Sequence, residues 1–325
     1  MLISAELQAN KQLVWDYWQA LNASAAEDMA TVTRQYVAEG VAWHGPHPIN
    51  DLDGVEAVIR DFWIPLRTAV PDLRRTCEIF IGGHAHWVGA IGYFSGTFAQ
   101  DWLGIPATGR EVKIRFGEFS AVWGGQIVAT YIIPDVLDVI RQAGYQVVAP
   151  SLGHEGIIEG PATGDGVLLE PGDADEGAKT LHTAKVMCED STQPTWWHAD
   201  RMRWYGPSGI GTSCGMDEYR AFHARPFDHG LPEYGLIYAG KHIADIGEGM
   251  YAGWVGWPSI RTHLGGEYLG CPPNGNVVEW RLMDFYRREG ELIIENWIPV
   301  DMLHLFKTMG VDVLARLQQQ IAARG

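Results

Sequence analysis

Apolar residues recur at helical spacing over residues 11–21 and again over 178–189, the pattern of a helix with one buried face. A second helical stretch follows in each region, 55–66 and 216–224, shortly after the turns Trp43-His44-Gly45-Pro46 and Trp204-Tyr205-Gly206-Pro207. Alternating or aromatic-rich runs come next, at 91–98, 112–123 and 126–133 and then at 250–257, 277–286 and 292–298. Such runs predict strands of an antiparallel sheet. A short amphipathic helix closes each series, 136–142 and 302–309, with Gly144 and Gly310 placed to stop it. Helices first and strands afterwards predict an α+β fold, in contrast to a parallel βαβ arrangement.

The two series are copies. Displacing the chain against itself by 166 positions sets Gly104 on Gly270, Pro106 on Pro272, Gly109 on Gly275, Ile127 on Ile293, Asp135 on Asp301 and Gly144 on Gly310. Upstream, a displacement of 161 superposes the two Trp-x-Gly-Pro turns, so about five residues of insertion lie between the matching blocks; loops absorb such insertions. A fixed offset over a long segment is the mark of duplication. Residues 149–177 are rich in Gly, Pro, Asp and Glu and lack a periodic apolar pattern, which reads as a connector. The expected organisation is a first domain at 1–148, a connector at 149–177 and a second domain at 178–325.

Composition narrows the function. A chain of 325 residues accommodates two domains of ordinary size. A formal charge of −16 opposes nucleic acid and anionic membrane surfaces, and no basic stripe offsets it. The four cysteines, Cys77, Cys188, Cys214 and Cys271, are far apart and form neither a disulfide framework nor a zinc knuckle. The first ten residues have no basic start with an apolar core after it, and no apolar run reaches the length of a spanning helix; the expectation is a cytoplasmic protein. Fourteen tryptophans exceed what ordinary cores require and suggest aromatic-lined pockets.

Gly96-Thr97, the run Gly104-Ile105-Pro106-Ala107-Thr108-Gly109-Arg110, Gly125-Gln126-Ile127-Val128, and Asp135 with Gln142-Ala143-Gly144 together resemble the SnoaL-like polyketide cyclase family. The second copy repeats the pattern in Thr262-His263, Gly270-Cys271-Pro272-Pro273-Asn274-Gly275, residues 291–297, Asp301 and Met309-Gly310. The resemblance covers most of both halves. It implies two tandem cone-shaped α+β barrel domains of the nuclear-transport-factor-2-like kind, each a curved antiparallel sheet wrapped on N-terminal helices around a deep pocket. It also implies that the aspartate before the last helix, Asp135 or Asp301, is a general acid/base.

Intramolecular aldol closure needs a base for an acidic α-proton and an acid for the developing alkoxide, and requires neither metal nor organic cofactor. A carboxyl group buried among aromatic rings is poorly solvated, so its pKa rises toward neutrality and one group serves both steps. Trp43, Tyr131, Trp204, Tyr205, Trp254, Trp280 and Trp297 are the candidates to line pockets and hold a flat, polyketide-like carbonyl compound. His263 and His44 could orient the proton, and Glu295 could add a second carboxylate. An aspartate directly before a helix is equally an N-cap, and both roles can coexist. The first copy carries Thr97-Phe98 where the second has the pair Thr262-His263, and Ala129 where the second has Glu295, which points to the first half as scaffold. The same pattern suits a lyase, an isomerase, or a noncatalytic module that binds a hydrophobic ligand or mediates assembly. The two copies are expected to pack as an intrachain pseudo-dimer, leaving room for a homodimer.

Overall fold

The computed structural model describes residues 1–84, 86–156 and 158–324. The first half runs through α1 (Ala5–Ala23), α2 (Met29–Tyr36), β1 (Val37–His44) and β2 (Asp51–Asp53). A helix then passes from α3 (Val55–Val58) through a π-helical turn (Ile59–Trp63) into α4 (Ile64–Ala69), followed by β3 (Arg74–Gly83), β4 (Trp87–Thr97), β5 (Glu111–Trp123), β6 (Gln126–Pro134) and α5 (Val136–Gln142). The second half repeats the series: α6 (Ala174–Glu189), β7 (Arg203–Tyr205), β8 (Thr212–Cys214), α7 (Met216–Tyr219), a π-helical turn (Arg220–Ala224), α8 (Arg225–Gly230), β9 (Ala244–Glu248), β10 (Tyr251–His263), β11 (Val277–Glu289), β12 (Leu292–Trp297) and α9 (Met302–Thr308), with α10 (Val313–Arg324) added.

Among the described residues two six-stranded sheets form, ordered β2-β1-β6-β5-β4-β3 and β8-β7-β12-β11-β10-β9. They are not wholly antiparallel as the sequence suggested: β1 runs parallel to β6, and β7 parallel to β12. Helices intervene between β1 and β6 in the chain, which is what a parallel pairing needs. The duplication is visible in the backbone. Leu103 and Leu269 both hold φ near +50°, with values of 52° and 51°, and Gly144 and Gly310 end their helices at 88° and 92°. The bridges Trp102–Ile105 and Tyr268–Cys271 are likewise 166 positions apart.

Each long strand sends alternate side chains to opposite faces. On β11, Trp280, Leu282 and Tyr286 turn to the helices of their own half, while Met283 and Phe285 join Ile79, Phe119 and Ile246 in a core between the two sheets. The sheets therefore meet face to face. The approach is close at Gly117, where a Cβ would stand 2.6 Å from Pro299 Cγ, so glycine fits there and a larger residue would not.

Two further devices tie the halves together. Lys11 of α1 reaches Glu248 of β9 at 2.7 Å with both side chains buried, and Glu248 also accepts the backbone N–H groups of Gly82 and Gly172 at 2.8 Å. A buried charge needs this degree of pairing to be tolerated. Residues of the 149–177 stretch lie on both sheets, since Phe80 bonds Gly166 and Leu168, and the Trp297 indole donates to the Glu159 carbonyl.

Candidate functional site

The second cone is hollow. Its cavity measures about 330 Å³ and opens beside Tyr234 and Asp284 into an adjoining cleft of about 390 Å³. Several elements build the wall. The inward face of β11 supplies Trp280, Leu282, Asp284 and Tyr286, the π-helical turn supplies His223, α8 supplies Phe227, and Trp204 and Asn296 come from β7 and β12. A π-helical turn widens the helix by one residue per turn, and here it carries the cavity histidine.

Asp284 is the buried carboxyl in this apolar wall. Its side chain accepts the Trp254 indole N–H at 2.9 Å and the Asn296 amide at 3.2 Å. Burial raises its pKa above the usual carboxylate range, while hydrogen bonds from Asn296, Tyr286 and Trp254 and the nearby His242 pull it partly back. Trp254 is fixed in turn, stacked on His242 with ring centroids 4.9 Å apart and packed on Tyr286 at 4.7 Å. Burial raises the Tyr286 hydroxyl well above its ordinary value, so it stays protonated and able to donate. His223 is stacked on Trp204 at 4.0 Å, and burial lowers it to about 3; it is a neutral imidazole at neutral pH. Its Nδ1 and the Trp280 Nε1 lack protein hydrogen-bond partners. Buried polar atoms of this kind suit a polar ligand.

The first cone is filled. At the position equivalent to Asp284 stands Glu118, ion-paired with Arg75 at 3.0 Å with both side chains buried. The Arg75 guanidinium lies 4.2 Å from the Trp18 ring centre and 4.8 Å from those of Phe94 and Phe116, occupying the volume that is open in the other half. The cavity there is about 10 Å³. The second half has no matching arginine: β9 is short, and the equivalent stretch is a loop through Ala239 and Gly240 beside the cleft.

The structure brings Trp204, Trp254 and Trp280 to this cavity and its adjoining cleft. The other expected residues go elsewhere. Asp135 and Asp301 are N-caps of α5 and α9, accepting from Asp138 and His304 backbone N–H groups. Each also accepts a backbone N–H from the turn of the opposite half at 2.9 Å, Asp135 from Ser208 and Asp301 from His47. They are buried at the seam between the halves, and neither lines the second cone; burial raises both to about 6. His263 is half-exposed and paired with Glu233. Trp43 packs on Phe62 in the first core at 4.8 Å, and His44 stacks on Tyr131 at 4.3 Å near Trp257. Tyr205 and Trp297 stack on each other between the sheets at 5.4 Å. Glu295 shares its strand face with Trp297, the face turned away from the cavity and toward the opposing sheet: it pairs with Arg287 and accepts from Ala162 N–H.

Asp284 was not singled out from the sequence. The available signal is the alternation Trp280, Leu282, Asp284, Tyr286, one carboxyl in an aromatic period-two row. It is masked because Arg281, Met283 and Phe285 between them are also largely sequestered by the opposing sheet.

Residues 16–143 match the family model described as SnoaL-like polyketide cyclase. The first half of the chain is thus a SnoaL-like domain, and the second half, with the same strand order, is a second copy. Similar solved structures include a candidate SnoaL-like polyketide cyclase from Jannaschia sp. CCS1, 19% identical, covering 44% of this chain and 97% of that one with a TM-score of 0.40. A SnoaL-like polyketide cyclase from Agrobacterium tumefaciens is 24% identical over 42% of this chain and 98% of its own, TM-score 0.34. TsrD from Streptomyces laurentii is 24% identical over 44% and 98%, TM-score 0.36. No curated protein matches the chain by sequence. No helix among the described residues is long and apolar enough to cross a membrane.

Proposed function

We propose that the second cone is an acid/base site for a flat, hydrophobic carbonyl compound of polyketide type, with Asp284 as its base. The observation that carries this reading is a buried carboxyl held by two N–H donors on the wall of an aromatic cavity. Asp284 takes the proton from the carbon next to a carbonyl, and the Tyr286 hydroxyl, two positions along the same face, donates to the enolate oxygen. The enolate carbon then attacks a second carbonyl of the same molecule; the new C–C bond leaves an alkoxide, which takes back the proton from Asp284. One proton leaves and one returns, so no redox partner enters. Trp280 lies four residues from Asp284 on the strand, on the order of 13 Å at about 3.3 Å per residue, and its free indole N–H suits an oxygen at the far end of a multi-ring substrate. Trp204 and Phe227 supply stacking surface.

The Arg75–Glu118 plug supports assigning the chemistry to the second half and a scaffold role to the first. The test is turnover of a panel of β-dicarbonyl compounds and polycyclic aromatic esters. Asp284→Asn should lower kcat by about 10²–10⁴, the range of a general acid/base, with ligand binding retained. Asp135→Asn and Asp301→Asn should leave the chemical step in place. Equal binding to all variants with no conversion by any would make the cavity a ligand carrier.

A further inference from the structure

A second cleft, of about 310 Å³, lies at the seam between the halves, away from the second cone; Lys113, Arg115, Asp135, Arg141, Ser208 and Gly211 are among its lining residues. The duplication makes it comparable with its counterpart. Displacing the chain by 166 sets Arg115 on Arg281 and Asp135 on Asp301, and displacing by 161 sets Asn50 on Gly211. The backbone confirms the second match: the N–H of Asn50 bonds the carbonyl of Pro46, the N–H of Gly211 bonds that of Pro207, both at 2.9 Å, and both residues have positive φ, 59° and 87°.

At the second-copy position the arginine is satisfied. Arg281 donates to the Asn50 side-chain oxygen at 3.1 Å and to Asp301 at 3.5 Å. At the first-copy position the acceptor side chain is missing, because residue 211 is glycine. Glycine is required there: residue 153 passes alongside, and a Cβ on Gly211 would stand 2.5 Å from the Gly153 carbonyl carbon. Arg115 is left with one hydrogen bond, from Nη1 to the Tyr205 carbonyl at 3.2 Å. Its Nε and Nη2 have no hydrogen-bond partner although its side chain is only 3% exposed, and the 3.9 Å from Nη2 to Asp135 is too long for a hydrogen bond. A buried guanidinium with two free donors in an open cleft is a planar fork awaiting oxygen atoms.

Donor geometry selects the class of ligand. Arg141 is engaged by Asp138 at 2.6 Å and by Glu155 at 3.7 Å. Lys113 lies over the Tyr93 ring at 4.4 Å and Arg115 faces the cleft, with Asp135 the carboxyl nearest to Arg115. Over the whole lining Lys113, Arg115 and Arg141 face Asp135, Asp138 and Glu155, so the cleft is formally neutral, and it is the unfilled Nε–Nη2 edge of Arg115 that suits a planar carboxylate. We propose that this inter-half cleft binds a small monocarboxylate whose apolar body lies against Tyr93 and Pro207, with the carboxylate taking on Arg115 the place that Asn50 occupies on Arg281.

The test is isothermal titration of the full chain with benzoate, alongside inorganic phosphate. Wild type should bind benzoate and bind phosphate more weakly. Arg115→Gln should weaken benzoate at least tenfold, the consequence of losing a charge-assisted bidentate contact. Lys113→Gln, at an exposed position that leaves the fold intact, should weaken it severalfold. Three results overturn the proposal: absence of benzoate binding at millimolar concentration, benzoate binding unchanged in Lys113→Gln and in any Arg115→Gln protein that folds, or phosphate preferred over benzoate.

Discussion

Replacing Arg75 with methionine removes the cation that fills the first cone and leaves Glu118 buried, with Ser120 its remaining side-chain hydrogen-bond donor. At 3.0 Å the pair's attraction is about 5 kcal/mol at an effective dielectric constant of about 20, and burying the two ions costs several kcal/mol each, so the intact pair contributes little net stability. Breaking it is different, since the desolvation of Glu118 is then uncompensated. Arg75→Met should cost about 3–5 kcal/mol, with the cation–π contacts to Trp18, Phe94 and Phe116 included in that loss. Replacing both ions by apolar groups of similar bulk, Arg75→Met with Glu118→Leu, should recover most of the deficit, because paired hydrophobic replacement of a buried ion pair is about neutral or better. Urea unfolding of the three proteins at neutral pH measures this directly. A single variant less than about 1 kcal/mol below wild type, or a double variant no better than the single one, would refute the assignment of Arg75 as a plug compensated by Glu118.

Lys11→Met should cost about 3 kcal/mol by urea unfolding, since Glu248 keeps two backbone donors but loses its buried cation. Asp135 and Asp301 titrate near 6 in the folded chain against about 3.9 when unfolded. The folded state therefore holds these protons more tightly: the stability they contribute is full below about pH 4 and is lost as pH rises through about 6. The double variant Asp135→Asn/Asp301→Asn should flatten that part of the stability curve, measured as midpoint against pH; an unchanged slope would contradict the burial of these carboxyls.

The parts of the fold legible in the sequence are those with a capping signal or a long apolar run. The final helices, with aspartate before and glycine after, are visible from capping alone, and the long strands β5, β6 and β11 from their apolar runs. The exposed edge strand β2, with one residue between two aspartates, offers no apolar pattern, and β9 is five residues long. The site was harder to read for a related reason. Between two packed sheets both faces of a strand are apolar, so the alternation that would separate Trp280 and Asp284 from Phe285 and Met283 is blurred, and Glu295 and Trp297 turn away from the cavity although their sequence pattern suits it equally well. Family resemblance drew attention to Asp135 and Asp301, whose capping role needs nothing beyond their place before a helix. Which cone is open depends on Arg75, a residue whose position among four aromatic rings follows from the length of β3 and not from any local motif.

The most direct test of the account is proton exchange. A β-dicarbonyl compound with a slowly exchanging α-proton, incubated in D₂O with the protein and followed by NMR, reports base catalysis at carbon without requiring the natural substrate. Enzyme-dependent exchange that falls by about 10²-fold or more in Asp284→Asn, and persists in Asp301→Asn, is the expected result. Exchange that survives Asp284→Asn and disappears in Asp301→Asn would place the chemistry at the seam and contradict the reading of the second cone.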